Sequence, residues 1–312
     1  MRFRISASEY SVKKMHNHKI ESANKDIKFV TNLGIAGNIV LSAVKVGVGY
    51  FAGSMALVAD GIHSISDMTT DVAVLLGVHF GSKQPDEEHQ YGHGRTETFA
   101  AAFIGMALIA VGAVMIYRAA IDMAAGKYAS PGFIVLFVAL ISIIVKELLY
   151  RMTKRVAIKT HSSALYANSW HHRSDAFSSI AVVAGFISLK FGFKYGDQMA
   201  AVGVGLMIIL VAIRIIRDCL SELTERAVDS DTIEHIKNII NDNSSIRQWH
   251  KLRTRTVGRE VFLDLHILVD PDLSIAAAHE ISENLENTLD EQITRPVNIT
   301  VHIEPDIPAL RK

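Results

Sequence analysis

Long apolar stretches separated by short polar links fill most of the chain before residue 222. Six of them are long enough to cross a bilayer as a helix, which takes about 20 residues. They lie at about 28–51, 55–81, 96–121, 131–153, 162–189 and 196–221. The third and sixth are rich in alanine and glycine, which let helices approach closely in lipid. The pattern predicts an α-helical membrane domain with six transmembrane helices over residues 28–222.

From about Asp229 the sequence becomes polar and takes on the spacing of short helices and strands. Asp229 and Ser274 are predicted helix starts, and Gly258-Arg259 is a hairpin signal. The elements predicted here are helices at 233–243 and 275–289 and strands at 249–257, 260–269 and 297–304. This α-β-β-α-β order predicts a small two-layer α+β domain over residues 223–312.

The distribution of basic residues gives the predicted orientation in the membrane. Residues 1–27 are polar and basic, lack the apolar core of a secretory signal, and are predicted to form a cytoplasmic tail. The link between the fourth and fifth stretches is basic too, whereas the link at 52–54 has no charge. Its basic residues are Arg151, Lys154, Arg155 and Lys159. Because basic loops stay in the cytoplasm, both termini are expected there after an even number of spans.

Composition narrows the expected chemistry of this chain of 312 residues. Lys+Arg and Asp+Glu are equal at 32, so nucleic-acid binding has no electrostatic support. The single cysteine, Cys219, excludes an intrachain disulfide and a thiolate metal cage. Histidine is unusually frequent, with 14 residues. A membrane chain rich in histidine and poor in cysteine is expected to bind divalent metals through imidazole and carboxylate groups.

Two pairs of ionisable residues lie inside predicted spans. His63 and Asp67 on the second span are four residues apart. His171 and Asp175 repeat this spacing on the fifth, so each pair shares one face of its helix. An ionisable side chain in lipid is costly unless it faces a partner or water. Two imidazoles and two carboxylates complete the tetrahedron that zinc prefers, and they balance its charge. The alternative is a separate structural hydrogen bond within each helix.

Other polar residues of the spans have no predicted ligand role. Three of them, Asp60, Asp71 and Asn168, lie on or near the same helix faces as the two pairs. Lys146 and Glu147 on the fourth span are interpreted as an internal pair or as ends that reach toward water. The predicted metal-binding chemistry therefore depends on the two His–Asp pairs.

The link after the second span carries another candidate group. Asp86, His89 and His93 are spaced so that a loop or a helix start brings them to one ion. The alternative is a helix-entry loop whose histidines bond to the backbone. The run Tyr-Gly-His-Gly-Arg-Thr-Glu at 91–97 follows directly.

This run and the two His–Asp pairs resemble the cation diffusion facilitator family, over about residues 28–305. The resemblance to bacterial zinc and iron efflux members implies a homodimer in the inner membrane. Such a dimer exchanges a divalent metal for protons and has a metallochaperone-like cytoplasmic domain. The resemblance also implies a transport site of His63, Asp67, His171 and Asp175, and a loop site of Asp86, His89 and His93.

Four histidines of the predicted cytoplasmic domain lie in four different elements: His250, His266, His279 and His302. The resemblance implies metals bound by His250, His266, His302 and an acid two residues later, with His279 supplied by the facing subunit. That acid is Glu304, which is one methylene longer than the aspartate of related proteins. Because the domain lies outside the six spans, its site is expected to regulate transport.

Together these features predict a secondary active transporter, not an enzyme, that exports Zn²⁺ in exchange for protons by alternating access. Imidazole titrates near pH ~6.5, so protons compete with metal for His63 and His171. One alternative is a transporter of the same fold selective for Mn²⁺, Fe²⁺, Co²⁺ or Cd²⁺. Another is a non-transporting metal sensor or scaffold. A metallohydrolase is disfavoured because four protein ligands leave no open position for a substrate.

Overall fold

The computed structural model of the chain describes residues 7–51, 61, 64, 67–126 and 133–311. Within them, the helices are α1 (Ala7–Phe51), α2 (Met68–Gly81), α3 (Arg95–Ala124), α4 (Phe133–Thr160), α5 (Ser163–Lys190), α6 (Gly196–Leu223), α7 (Ser230–Asp242) and α8 (Ile275–Gln292). The strands are β1 (Gln248–Val257), β2 (Glu260–Val269) and β3 (Val297–Pro305). They form two compact units: Lys25–Leu220, and Ser221–Lys312 together with the N-terminal residues through Asn24.

The first of these units is helical and apolar, as the hydrophobic pattern predicts. Among the described residues, Asn17–Phe51, Arg95–Ala124 and Gln198–Leu223 are long and apolar enough to cross a membrane. Helices α4 and α5 coincide with two further predicted spans but carry more charged and polar side chains. α2 is a shorter apolar helix, and much of the second predicted span lies outside the described residues. The count of six spans therefore stays a prediction.

Small residues bring α3 and α6 into close contact. A Cβ atom added to Gly112 would lie 2.8 Å from the carbonyl oxygen of Gly205, and one added to Gly205 would lie 2.9 Å from that of Gly112. Two turns before Gly112 on α3, a Cβ at Gly105 would meet Ile216 at 2.9 Å. The alanine- and glycine-rich sequences of the third and sixth spans thus serve the close helix packing that lipid favours.

The N-terminal segment is helical from Ala7, and its assignment to a cytoplasmic tail of residues 1–27 stays a prediction. α1 begins at Ala7 and continues through Phe51, because the sequence offers no glycine or proline before Gly34. Within the second unit, Lys19 Nζ donates to the backbone carbonyl oxygens of Asp290, at 2.5 Å, and Ile293, at 3.2 Å. These carbonyls end α8, where a cation is favourable.

The basic residues predicted to link the fourth and fifth spans lie on a helix. Arg151 and Lys159 lie inside α4, which runs on to Thr160. Lysine and arginine are good helix formers, so the helix ends only at His161, whose φ of 53° is left-handed. The basic residues thus occupy the last turns of a helix instead of a loop.

The C-terminal elements confirm the predicted α-β-β-α-β order. The sheet has the order β1-β2-β3, with β1 antiparallel and β3 parallel to the central β2. The hairpin turns at Gly258, whose φ is +58°. Because β2 is central, its apolar residues pack against α7 and α8 in one buried core. The predicted caps are present: Asp229 accepts from the backbone nitrogen of Thr232 and Ser274 from that of Ala277.

Replacing Asp229 by alanine should destabilise the C-terminal domain by about 1 kcal/mol, the usual cost of losing an N-cap. The carboxylate accepts from both the backbone nitrogen, at 2.9 Å, and the hydroxyl of Thr232, at 2.8 Å. Urea denaturation followed by Trp249 fluorescence in a Trp170→Phe background checks the change. Asp242→Ala, at the exposed end of the same helix, is the matched control and should lose no stability. Equal loss in both variants would contradict the capping role.

Candidate metal centres

The buried centre of the membrane unit brings together three of the four residues predicted to bind the transported metal. Asp67 directly precedes α2, and His171 and Asp175 lie one turn apart on α5. His171 Nε2 is 3.7 Å from Asp67 Oδ1 and 4.0 Å from Asp175 Oδ2. One ligand atom from each of the three lies within 4.8 Å of the others, a spacing that one metal ion can bridge. His63 lies outside the described residues.

His171 is well suited to bind an ion. It is 3% exposed, and neither ring nitrogen has a hydrogen-bond partner in the described part of the chain. A buried polar atom without a partner costs about 1–3 kcal/mol, a cost that a bound cation would remove. Both carboxylates beside the ring are acceptors and therefore possible ligands of the same cation.

Lys146 enters this centre, although the sequence predicts no role for it there. Its Nζ donates to Asp175 Oδ2 at 2.6 Å and to Asn38 Oδ1 at 2.7 Å. The suggested pair with Glu147 is wrong, because Glu147 instead accepts from Arg151 Nε at 2.8 Å. The sequence feature that could have indicated this contact is a lysine in the middle of an apolar helix, because a cation there needs a buried partner.

A second buried polar cluster surrounds Asp71. Asn38 Nδ2 donates to Asp71 Oδ2 at 3.1 Å, and Asn168 Nδ2 donates to Asp71 Oδ1 at 2.7 Å. His172 Nε2 lies 3.6 Å from Asp71 Oδ1, and all four residues are at most 1% exposed. Asn168 therefore faces Asp71 instead of serving the predicted metal group. Since Asn38 contacts both Asp71 and Lys146, the two clusters are continuous.

The loop between α2 and α3 forms the third predicted group. Asp86 Oδ1 accepts from the backbone nitrogens of Glu88, at 3.1 Å, and His89, at 2.7 Å. His93 Nε2 lies 3.3 Å from Asp86 Oδ2, and His89 Nδ1 lies 3.4 Å from Asp86 Oδ1. The hydrogen bond from the His89 backbone lowers the pKa of the Asp86 carboxyl, which keeps it ionised. The three side chains have the spacing of a metal site, and Asp86 rather than a histidine bonds to the backbone.

Strand register assembles the cluster in the C-terminal domain. His266 on β2 is paired with His250 on β1 and with His302 on β3, so the three stand side by side. Glu304 lies two residues beyond His302 and therefore on the same face of the sheet. Its Oε1 is 2.8 Å from His266 Nδ1, and its Oε2 is 3.0 Å from His250 Nε2. The hydrogen bond to His266 lowers the pKa of the Glu304 carboxyl.

The remaining two histidines of this predicted site are more exposed. His302 Nε2 is 3.6 Å from Glu304 Oε1, and its side chain is 62% exposed. His279 lies on α8, where its side chain is 67% exposed and its Nε2 is 3.8 Å from Glu283 of the same helix. The close three-residue group is therefore His250, His266 and Glu304. The part of His279 in metal binding stays a prediction that requires a second subunit.

The sequence matches two family models. The one described as the cation efflux transmembrane domain covers residues 32–224. The one described as the cytoplasmic domain of cation efflux proteins covers residues 228–306. The matched regions contain all three groups of candidate ligands, including the undescribed His63.

Individual relatives agree with these matches. An uncharacterized transporter of Methanocaldococcus jannaschii is 37% identical over 87% of this chain and 96% of its own length. Metal tolerance protein C1 of Arabidopsis thaliana is 31% identical over 93% of this chain and 65% of its own. The manganese efflux system protein MneP of Bacillus subtilis is 30% identical over 88% and 95%. The chain therefore belongs to the cation diffusion facilitator family and is a multi-pass membrane transporter that exports divalent metal cations.

Proposed function

We propose that this transporter exports Zn²⁺ and that the ion binds at Asp67, His171, Asp175 and His63. The observation that carries the proposal is the buried group of two carboxylates and one imidazole within 4.8 Å. His63 lies four residues before Asp67 on the predicted second span and would add the second imidazole. Mixed nitrogen and oxygen ligands in a four-coordinate site suit zinc.

Manganese is the second candidate cargo. The Bacillus subtilis relatives MneP and MneS, at 30% and 32% identity, are named manganese efflux system proteins. Carboxylates suit manganese, and two of the three described ligands are carboxylates. The proposed site has two imidazoles, and these favour zinc. Because His63 supplies one of them, we propose that the residue at position 63 determines whether zinc or manganese is preferred.

Proton exchange follows from the chemistry of the proposed ligands. A metal binds only the deprotonated form of an imidazole nitrogen, so a proton and Zn²⁺ exclude one another at His171. Alternating access then couples the two fluxes, because the site that releases metal on the far side returns with protons. Antiport is therefore part of the proposal. If His63 and His171 both take up a proton, about two protons are exchanged for each metal.

The proposed assembly is a homodimer in the bacterial inner membrane, with both termini in the cytoplasm. The match to a cytoplasmic cation efflux domain over residues 228–306 supports the placement of the C-terminal domain. The exposed position of His279 on α8 leaves its imidazole available to a second subunit. In this arrangement metal at the sheet regulates transport and does not travel through the protein.

Asp67→Ala and Asp175→Ala should each abolish Zn²⁺ transport, because each removes a ligand and a charge that offsets the buried ion. The measurement is Zn²⁺ flux in proteoliposomes with and without an opposing proton gradient. The parent should transport faster with the gradient. Asp122→Ala, on α3 outside the site, is the control and should behave like the parent. Parental flux in either site variant would refute the proposed site, and indifference of the parent to the gradient would refute antiport.

His63→Asp should shift selectivity from zinc toward manganese, since a harder oxygen ligand replaces an imidazole. Competition between the two ions for uptake into proteoliposomes measures the ratio directly. An unchanged ratio, with flux retained, would show that position 63 does not determine selectivity. Asp122→Ala, on α3 outside the proposed site, again serves as the control and should keep the parental ratio.

The double variant His250→Ala/His266→Ala should raise the zinc concentration needed for half-maximal flux roughly 5–150-fold, the usual range of coupling between two sites. Flux at saturating zinc should remain appreciable, because the membrane ligands are untouched. Flux as a function of free zinc gives both quantities. His235→Ala, on α7 of the same domain, is the control. Complete loss of flux in a folded double variant would contradict a regulatory role.

A further inference from the structure

The ammonium group of Lys146 occupies the proposed transport site. Lys146 is 1% exposed, and its Nζ lies 2.6 Å from one oxygen of Asp175, a proposed metal ligand. A second acceptor, Asn38 Oδ1 on α1, lies 2.7 Å from the same nitrogen. A lysine ammonium has three donors and no acceptor capacity, so it can hold both oxygens at once. A divalent cation that binds Asp175 through Oδ2 must therefore displace the Lys146 ammonium from that oxygen.

The orientation of the Asn38 amide is fixed from its other side. Its Nδ2 donates to Asp71 Oδ2, so its Oδ1 must face Lys146. Asp71 is itself held by Asn168 Nδ2 at 2.7 Å on its other oxygen. The chain of contacts runs from α5 through α4 and α1 to α2 and back to α5. Asp71 thereby holds Asn38 Oδ1 in place as an acceptor for the Lys146 ammonium. This acceptor does not belong to the proposed metal site.

We propose that Lys146 is a tethered counter-cation that competes with the transported metal for Asp175. The inference rests on the proposed transport site. When a metal takes Asp175, the ammonium keeps its bond to Asn38, so it is displaced without being left unpaired. When the metal leaves, the ammonium re-pairs with Asp175 and removes the cost of a lone buried carboxylate. The tether thus weakens metal binding and favours metal release.

If Lys146 has this role, its replacement should change the metal affinity in the direction opposite to that of structural damage. Damage to the site would weaken metal binding. Removal of a competing positive charge should strengthen it, because close charge pairs in buried sites have large coupling energies. Lys146→Met should therefore lower the Zn²⁺ dissociation constant by ~10- to 100-fold. Maximal flux should fall, since release now leaves Asp175 unpaired. Lys146→Arg keeps the charge and should retain a dissociation constant near that of the parent.

The experiment measures Zn²⁺ binding by the full-length protein in detergent, with a competing fluorescent chelator. The background carries Asp86→Ala, His93→Ala, His250→Ala and His266→Ala, which silences the other two groups. Asp175→Ala in this background must abolish the remaining tight binding. If it does not, the proposed transport site fails, and that result is separate from any effect at Lys146. Lys154→Met, on the same helix, is the matched control and should bind Zn²⁺ like the parent.

The outcomes at position 146 then decide the inference. Tighter binding with slower maximal flux in Lys146→Met, together with parental affinity in Lys146→Arg, supports the tethered counter-cation. Unchanged or weaker Zn²⁺ binding by a folded Lys146→Met variant overturns the inference. The inference also fails if Lys146→Arg tightens Zn²⁺ binding as much as Lys146→Met does. Lys146→Gln replaces the methionine variant if the latter does not fold. Its amide can bond to both Asn38 and Asp175 without charge, and the same tightening is expected.

Discussion

The cost of burying ionised carboxylates in an apolar helical unit shapes the interior of this transporter. Asp67, Asp71 and Asp175 lie where water is largely excluded, and an isolated charge there would be strongly unfavourable. Each is therefore surrounded by donors or by groups that can share a cation. The lysine of α4 and an asparagine of α1 enter the centre for this reason. The same requirement explains why α4 and α5 carry buried polar residues such as Lys146 and His171.

The chain builds its candidate metal groups in three different ways. In the membrane unit, residues one helical turn apart on α5 meet a carboxylate that precedes α2. In the loop, backbone donors fix Asp86 through its Oδ1, and the carboxylate has one histidine near each oxygen. In the C-terminal domain, strand register alone places His250, His266 and Glu304 together. The group in the membrane unit is the most buried of the three, whereas the loop and sheet groups are more exposed to the surrounding solution.

Much of the fold follows from patterns that are local in sequence. Apolar stretches gave the helices of the membrane unit, and helix caps at Asp229 and Ser274 gave the boundaries of the C-terminal elements. The helices extend beyond the predicted spans where no local signal marks an end. A basic segment without glycine or proline remains helical, so α1 extends back to Ala7 and α4 extends on to Thr160. Charge alone does not distinguish a loop from the last turns of a helix.

The sequence by itself determined which side chains share a face, because helix and strand periodicity are local properties. It therefore placed His171 with Asp175, and it assembled the candidate ligands of the loop from their close spacing. Only the tertiary structure decided which side chain crosses from one helix to another. The approach of Lys146 to Asp175 and Asn38 joins positions that are 29 and 108 residues apart. No periodicity within α4 encodes that contact, since it depends on how α1, α4 and α5 pack around a buried charge.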